Sequence, residues 1–184
     1  MAKLTNILSL SLGLLMATPA MAGELAGVTL PDTMDVGGTS LVLNGMGLRE
    51  KYFIDIYVGG LYLPARTQDA AKAINDDVPK RIVMEMTYDL DKEKLGDTMR
   101  ESISKAESKS VAAKADTLAG WMEDVTKGDQ IILEYVPGTG TSVIVKGKKK
   151  GTLEGPEMMK ALWGIYLGPN PPTKALKAGL LGNK

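Results

Sequence analysis

The sequence predicts an α+β fold in which an antiparallel sheet carries helices packed on one face. Three observations carry that expectation. Strand-like and helix-like segments are segregated along the chain, with no regular βαβ alternation, which argues against a doubly wound parallel sheet and for a layered α+β domain. The stretch Gly45–Pro64, GMGLREKYFIDIYVGGLYLP, holds the single Phe and three of the six Tyr. It reads as one long strand apolar on both faces, and such a strand is central in its sheet with something packed on each side. Finally, the chain shows no internal repeat and no linker, and its length suits one domain with a core of its own.

Residues 1–22 read as a secretory signal peptide. Lys3 supplies the positive charge, Ile7–Met16 a short apolar core, and Ala20-Met21-Ala22 the small-residue cleavage pattern. The core is shorter than the ~20 apolar residues of a membrane span, and no Cys follows it to carry a lipid. The expectation is cleavage after Ala22, a periplasmic or secreted protein, one domain over residues 23–184, and no membrane span once the leader is gone.

Within the domain, Leu25–Pro31 reads as a first strand stopped by Pro. Asp35–Gly38 reads as a turn, Thr39–Asn44 as a second strand and Asn44-Gly45 as another turn. After the long strand, Thr67–Ile74 reads as a short helix capped by Thr67. Arg81–Tyr88 alternates, with Ile82, Met84, Met86 and Tyr88 on one side, the mark of a half-buried strand. Asp91–Ser108 reads as a helix with Asp91 at its N-cap and a buried stripe of Leu95, Met99, Ile103 and Ala106. Val111–Val125 reads as a second helix. Gln130–Val136 and Thr141–Val145 flank a Gly-rich turn and read as a hairpin. The lysine-rich run Lys146–Lys150 reads as a solvated turn. Gly155-Pro156-Glu157 opens a helix with Pro in its first turn, and Thr173–Leu181 reads as a last short one.

Composition narrows the chemistry. The chain has no His and no Cys, so Ser-His-Asp or Cys-His catalysis is excluded and the commonest metal ligands are missing. Without the leader's lysine the net charge is −1, which gives no basic field for nucleic acid. The acids Asp89, Asp91 and Glu93 are those expected at a helix start. No metal ligand, cofactor or catalytic residue is assigned. Arg49 is the unusual charge on the long strand: either a solvated strand end or the anion anchor of an apolar pocket. An Arg offers a fixed fork of donors and stays charged when partly buried. On an unbroken strand Arg49 and Tyr57 share a face, and Asp55 shares it too, so an Arg49–Asp55 ion pair is the competing reading. Met84 and Met86 are either core filler or the adaptable lining of a pocket.

The run Gly47–Leu63, GLREKYFIDIYVGGLYL, with Lys80-Arg81-Ile82, Lys127-Gly128-Asp129 and Leu167-Gly168 downstream, resembles the chalcone isomerase-like family over roughly Leu25 to Gly182. The resemblance implies an open-faced β-sandwich with a cleft between sheet and helices. In the isomerases of the family an Arg and a hydroxyl residue orient a phenolate and polarise a ketone, and in its fatty-acid binders an Arg–Tyr pair takes a carboxylate. By motif these positions fall on Arg49 and on Tyr57, at the head of the pattern Tyr-x-x-Gly-x-Tyr. The active isomerases add a Tyr and an Asn on the helix after the alternating strand, and a Ser or Thr on a later helix. Asp91–Ser108 has neither Tyr nor Asn, and Leu162–Tyr166 has no Ser or Thr.

The resulting expectation is a non-catalytic binder of an apolar, fatty-acid-like ligand with an anionic or phenolic head, lined by Arg49, Tyr57, Met84, Met86, Tyr88 and Met99. An intramolecular lyase of the chalcone isomerase type is one alternative. The other is an accessory protein whose cleft is filled by its own Met84, Met86, Trp163 and Tyr166. The sequence leaves the oligomeric state open.

Overall fold

The computed structural model describes residues 23–104 and 108–183. Residues 1–22, expected to be a leader, and Ala106 of the expected helix stripe lie outside the described residues. Strands β1 (Gly23–Leu25) and β2 (Val28–Leu30) form a small hairpin. Strands β3 (Thr33–Val36), β4 (Thr39–Lys51), β5 (Ile54–Leu63), β6 (Lys80–Met86), β7 (Gln130–Val136), β8 (Gly140–Val145) and β9 (Lys148–Leu153) form one seven-stranded antiparallel sheet in sequence order. Helices α1 (Ala70–Asn75), α2 (Lys92–Ser104), α3 (Lys109–Ala112), α4 (Ala115–Gly120), α5 (Pro156–Leu167) and α6 (Lys174–Leu180) complete it. The sheet curls into a half-barrel: a Cβ on Gly37, in the β3–β4 turn, would lie 3.0 Å from the Val136 side chain at the end of β7. The α+β expectation, an antiparallel sheet with helices on one face, is borne out.

The helix-covered face holds the main core. Leu61, Leu63, Ile82, Met84, Met86, Leu133, Val143 and Val145 from the sheet meet Leu95, Ile103, Leu118, Met159, Leu162, Trp163 and Tyr166 from the helices. On the opposite face the β1–β2 hairpin buries Val28 and Leu30 against Val36, Leu41, Leu43, Val58, Tyr62 and Val83. The middle of the sheet is therefore covered on both sides, as its two-sided apolar character requires.

The long stretch is not one strand. It is the β4–β5 hairpin, turning at Tyr52 and Phe53, which are 82% and 97% exposed and have φ of 53° and 64°. Alternation alone could not reveal the turn, because neither residue is a usual turn former. Asn44-Gly45 is likewise not a turn but a register shift inside β4, and Thr33–Val36 is a short edge strand. Helix α1 is capped by Asp69, whose carboxylate accepts from Ala71 and Lys72 backbone N–H groups, rather than by Thr67.

Strand β6 ends at Met86, before Tyr88. Asp91 does cap α2, accepting from the Lys94 N–H at 2.7 Å. The expected helix Val111–Val125 is two short ones, and Val125 instead exchanges backbone hydrogen bonds of 2.9 Å with Leu90. Of the lysine run only Lys146-Gly147 is a turn; Lys148–Lys150 begin β9, an outer strand whose charged side chains protect an open edge. The Pro-led α5 and the Thr173-capped α6 are as expected.

Candidate ligand-binding site

The site is built on glycine. Gly45 and Gly47 of β4 leave the sheet bare, and α6 lies directly on them: a Cβ on Gly47 would sit 2.3 Å from the Leu176 carbonyl oxygen, and one on Gly45 2.2 Å from that of Gly179. Two residues beyond Gly47 on the same face stands Arg49, below the segment that leads into α6. Its guanidinium donates from Nη1 to the Pro172 carbonyl.

Arg49 pairs in register with Tyr57 of β5, and Tyr57 pairs with Met86 of β6. Directly opposed residues of antiparallel strands project to the same side. The three therefore form a row on the helix-covered face, bordered by Met84 two residues along β6. Tyr166 reaches this patch from α5, its hydroxyl donating to Met84 Sδ at 3.2 Å. A thioether is a weak acceptor. Burial holds the Tyr57 phenol well above its ordinary pKa, Tyr166 adds to this, and Arg49 pulls the other way. Burial raises the Tyr166 phenol as well, again opposed by Arg49. Both phenols are thus neutral hydrogen-bond donors beside a cation.

The structure decides one alternative. Arg49 and Asp55 are not an ion pair: Asp55 is exposed and stands opposite Glu50, across a register shift from the Arg49–Tyr57 pair. No carboxylate lies within ion-pair distance of Arg49 among the described residues. Of the other candidate residues, Met84 and Met86 are 3% and 1% exposed, and Met99 packs, partly buried, on the core. Tyr88 does not join them, being 45% exposed beyond the end of β6. Sequence reasoning placed Tyr166 only among pocket-filling side chains. Its position beside Arg49 follows from how α5 lies across the sheet, for which the sequence carries no local signal.

A groove of about 510 Å³ runs between α2 and α5, lined by Ile103, Val111, Ala161 and Ile165 with Lys160 and Asn170 at its rim. Helix α5 separates it from the Arg49–Tyr57 patch, since Ile165 faces the groove and the next residue, Tyr166, packs on Met84. Two further cavities of about 540 and 340 Å³ lie around the start of α5. None of these three is lined by Arg49, Tyr57, Met84, Met86, Tyr88 or Met99. Among the described residues no cluster of acids is arranged to hold a metal.

A curled antiparallel half-barrel, helices on one side, and a partly buried Arg–Tyr patch beneath them define a class of domain. The chain belongs to the chalcone isomerase-like family, whose model matches residues 22–182. Among solved structures, it is similar to a fatty-acid-binding protein from Arabidopsis thaliana, AtFAP1. That match has a TM-score of 0.72 and 17% identity, and covers 88% of this chain and 96% of the other. No curated protein matches the chain.

Proposed function

We propose that this chain is an exported, non-catalytic binding protein for an apolar ligand with an anionic or phenolic head, of the fatty-acid type. The observation that carries the reading is the Arg49–Tyr57–Tyr166 patch. A guanidinium with a carbonyl partner and two neutral phenols, one donating only to a thioether, converge at the partly exposed edge of an otherwise apolar core. A carboxylate head group accepts from all three donors, and charge-assisted hydrogen bonds are the strong ones. The fatty-acid-binding function stated for AtFAP1 supports the same ligand class here. The α2–α5 groove is in the size range of small-molecule sites. The leader-like residues 1–22 support a periplasmic or secreted location.

A second reading rests on packing. Met84, Met86, Trp163 and Tyr166 are all nearly fully buried, so the cleft is closed by the protein's own side chains, as an accessory protein would have it. Lyase chemistry has less support, because α2 carries neither Tyr nor Asn to complete a polar site. Native mass spectrometry of protein purified from its own host separates the readings. A co-purifying lipid is the expected result. A bare protein that also fails to take up added fatty acid would leave the filled cleft in its place.

A further inference from the structure

Among the described residues, four two-residue hairpin turns have positive φ at both central residues: Ala26-Gly27, Gly37-Gly38, Tyr52-Phe53 and Lys146-Gly147. Three of them place Gly second, as such turns prefer. The β4–β5 turn instead puts two aromatic residues in the left-handed region, where bulky side chains are strained. The fold gains nothing from this, since Tyr52 and Phe53 are 82% and 97% exposed. Strain kept without a packing return points to function. Beside the tip lie two more exposed apolar side chains, Ile54 at 40% and Tyr88 at 45%. Tyr88 is held there by its neighbour Thr87, which bonds Asp55 and Ile56 backbone carbonyls. Lys51 stands 5.5 Å over the Tyr52 ring.

We infer that the β4–β5 hairpin tip is a membrane-docking device that inserts Tyr52 and Phe53 into the interfacial region of a lipid bilayer. Two aromatic rings almost fully exposed and two side chains about half exposed offer roughly 500 Å². That is short of the ~800 Å² per partner in a stable protein interface, so a second copy or a folded partner fits poorly. A bilayer needs no complementary surface, and aromatic side chains concentrate at its interface. The charges behind the tip suit zwitterionic headgroups: Lys51 can meet a phosphate, while Glu50 and Asp55, opposite each other in register, can meet an ammonium. The tip is contiguous with the Arg49–Tyr57 pair, one register shift away, so docking would bring that end of the sheet against the lipid.

The test uses vesicles of phosphatidylethanolamine and phosphatidylglycerol and vesicles of phosphatidylcholine, with flotation as the readout. The native protein should float with both, and should still do so in high salt, since insertion is apolar. The paired substitution Tyr52→Asn with Phe53→Gly restores ordinary turn residues, so it should hold or raise the urea midpoint while weakening vesicle binding at least tenfold. In a separate Phe53→Trp variant the added emission should shift blue on binding and be quenched by brominated lipid. Failure of the native protein to float overturns the proposal, as does undiminished flotation of the paired variant. So does a tip-dependent dimer by sedimentation without vesicle binding. Calorimetry with a soluble fatty acid and no vesicles should be unaffected by the paired variant, which keeps this test separate from the ligand-binding one.

Discussion

Arg49 stands directly across from Tyr57 on neighbouring antiparallel strands, with the Arg49 guanidinium bonded to the Pro172 carbonyl and the partly buried Tyr57 beside it. The pair joins two jobs: Arg49 ties down the segment entering α6, and with Tyr57 and Tyr166 it offers donors to an anion. Arg49→Ala should weaken fatty-acid binding about ten- to a hundredfold, since a hydrogen bond to a charged group contributes roughly 1.5–3 kcal/mol. It should also lower the urea midpoint, because the Pro172 carbonyl loses its donor. Tyr57→Phe and Tyr166→Phe leave that tether alone, so they isolate binding. Each should cost less, about 0.5–1.5 kcal/mol, with little change in stability. Arg49→Lys should restore affinity only in part, lacking the planar fork. Calorimetric titration alongside urea melts reads both quantities. Unchanged affinity in all four variants would leave Arg49 a purely structural residue.

Much of this arrangement was legible in the sequence, though one correct inference had the wrong premise. Arg49 and Tyr57 do share a face, but as cross-strand partners of a hairpin rather than as residues of one strand. The turn between them was hidden because Tyr52-Phe53 lacks Gly, Asn, Asp and Pro, the residues whose backbone preferences mark turns. The same error set Asp55 beside Arg49; the register shift at Glu50 removes it. The late strands were half visible: β7 alternates and β8 carries the β-branched run Val143–Val145, while β9 opens with three lysines and carries no apolar residue before Leu153. Tyr166 and Pro172 are tertiary facts. Their meeting with Arg49 depends on how α5 lies across the sheet and on α6 settling onto Gly45 and Gly47, which no local periodicity encodes.

Export gives a simple expectation. The first described strand begins at Gly23, where a Cβ would lie 2.7 Å from Met46 Sδ, directly after the Ala20-Met21-Ala22 pattern. The mature protein should begin Gly23-Glu24-Leu25. Intact-mass measurement on the periplasmic fraction or culture medium reads this directly, and a chain there that retains Met1 would end the signal-peptide reading.

The glycines under α6 should be intolerant of a methyl group. In Gly47→Ala the new Cβ meets the Leu176 carbonyl oxygen at 2.3 Å. That neighbour is backbone, so no rotamer change relieves the clash and α6 must lift. Overpacking of this kind costs about 1–3 kcal/mol, and a lowered urea midpoint should follow. Ligand affinity should fall with it, because α6 carries the Pro172 segment over Arg49. Gly120→Ala is the matched control. Nothing lies within 4 Å of its added Cβ, and at the end of α4 the change should be neutral or stabilising by up to about 1 kcal/mol. Equal stability of the two variants would contradict the close helix–sheet contact.

Lys80 supplies the protein's clearest pH dependence. Its side chain is fully buried, with Nζ donating to the Ala73 carbonyl at 2.8 Å and to the Ile74 carbonyl at 3.4 Å. The Trp163 ring centroid lies 5.8 Å away. Burial lowers its pKa to about 8, with Lys160 acting in the same direction and Asp76 and Asp77 opposing. In the unfolded chain a lysine keeps its proton to about pH 10.4. Between those values the unfolded state binds more protons, so stability rises with pH. Below about pH 8 both states are charged, and the cost of burying the ammonium is felt in full. From pH 7 to 9.5 urea melts should gain on the order of 1–2 kcal/mol. With no His or Cys in the chain, the α-amino group competes in that window, and toward its upper end so do the first unfolded phenols to ionise. Above about pH 10 the slope should reverse, because the unfolded phenols ionise while burial keeps Tyr57, Tyr62 and Tyr166 neutral in the fold. Lys80→Met keeps the bulk, loses the titrating group and should flatten the rise. A rise that persists in that variant would assign it to another group.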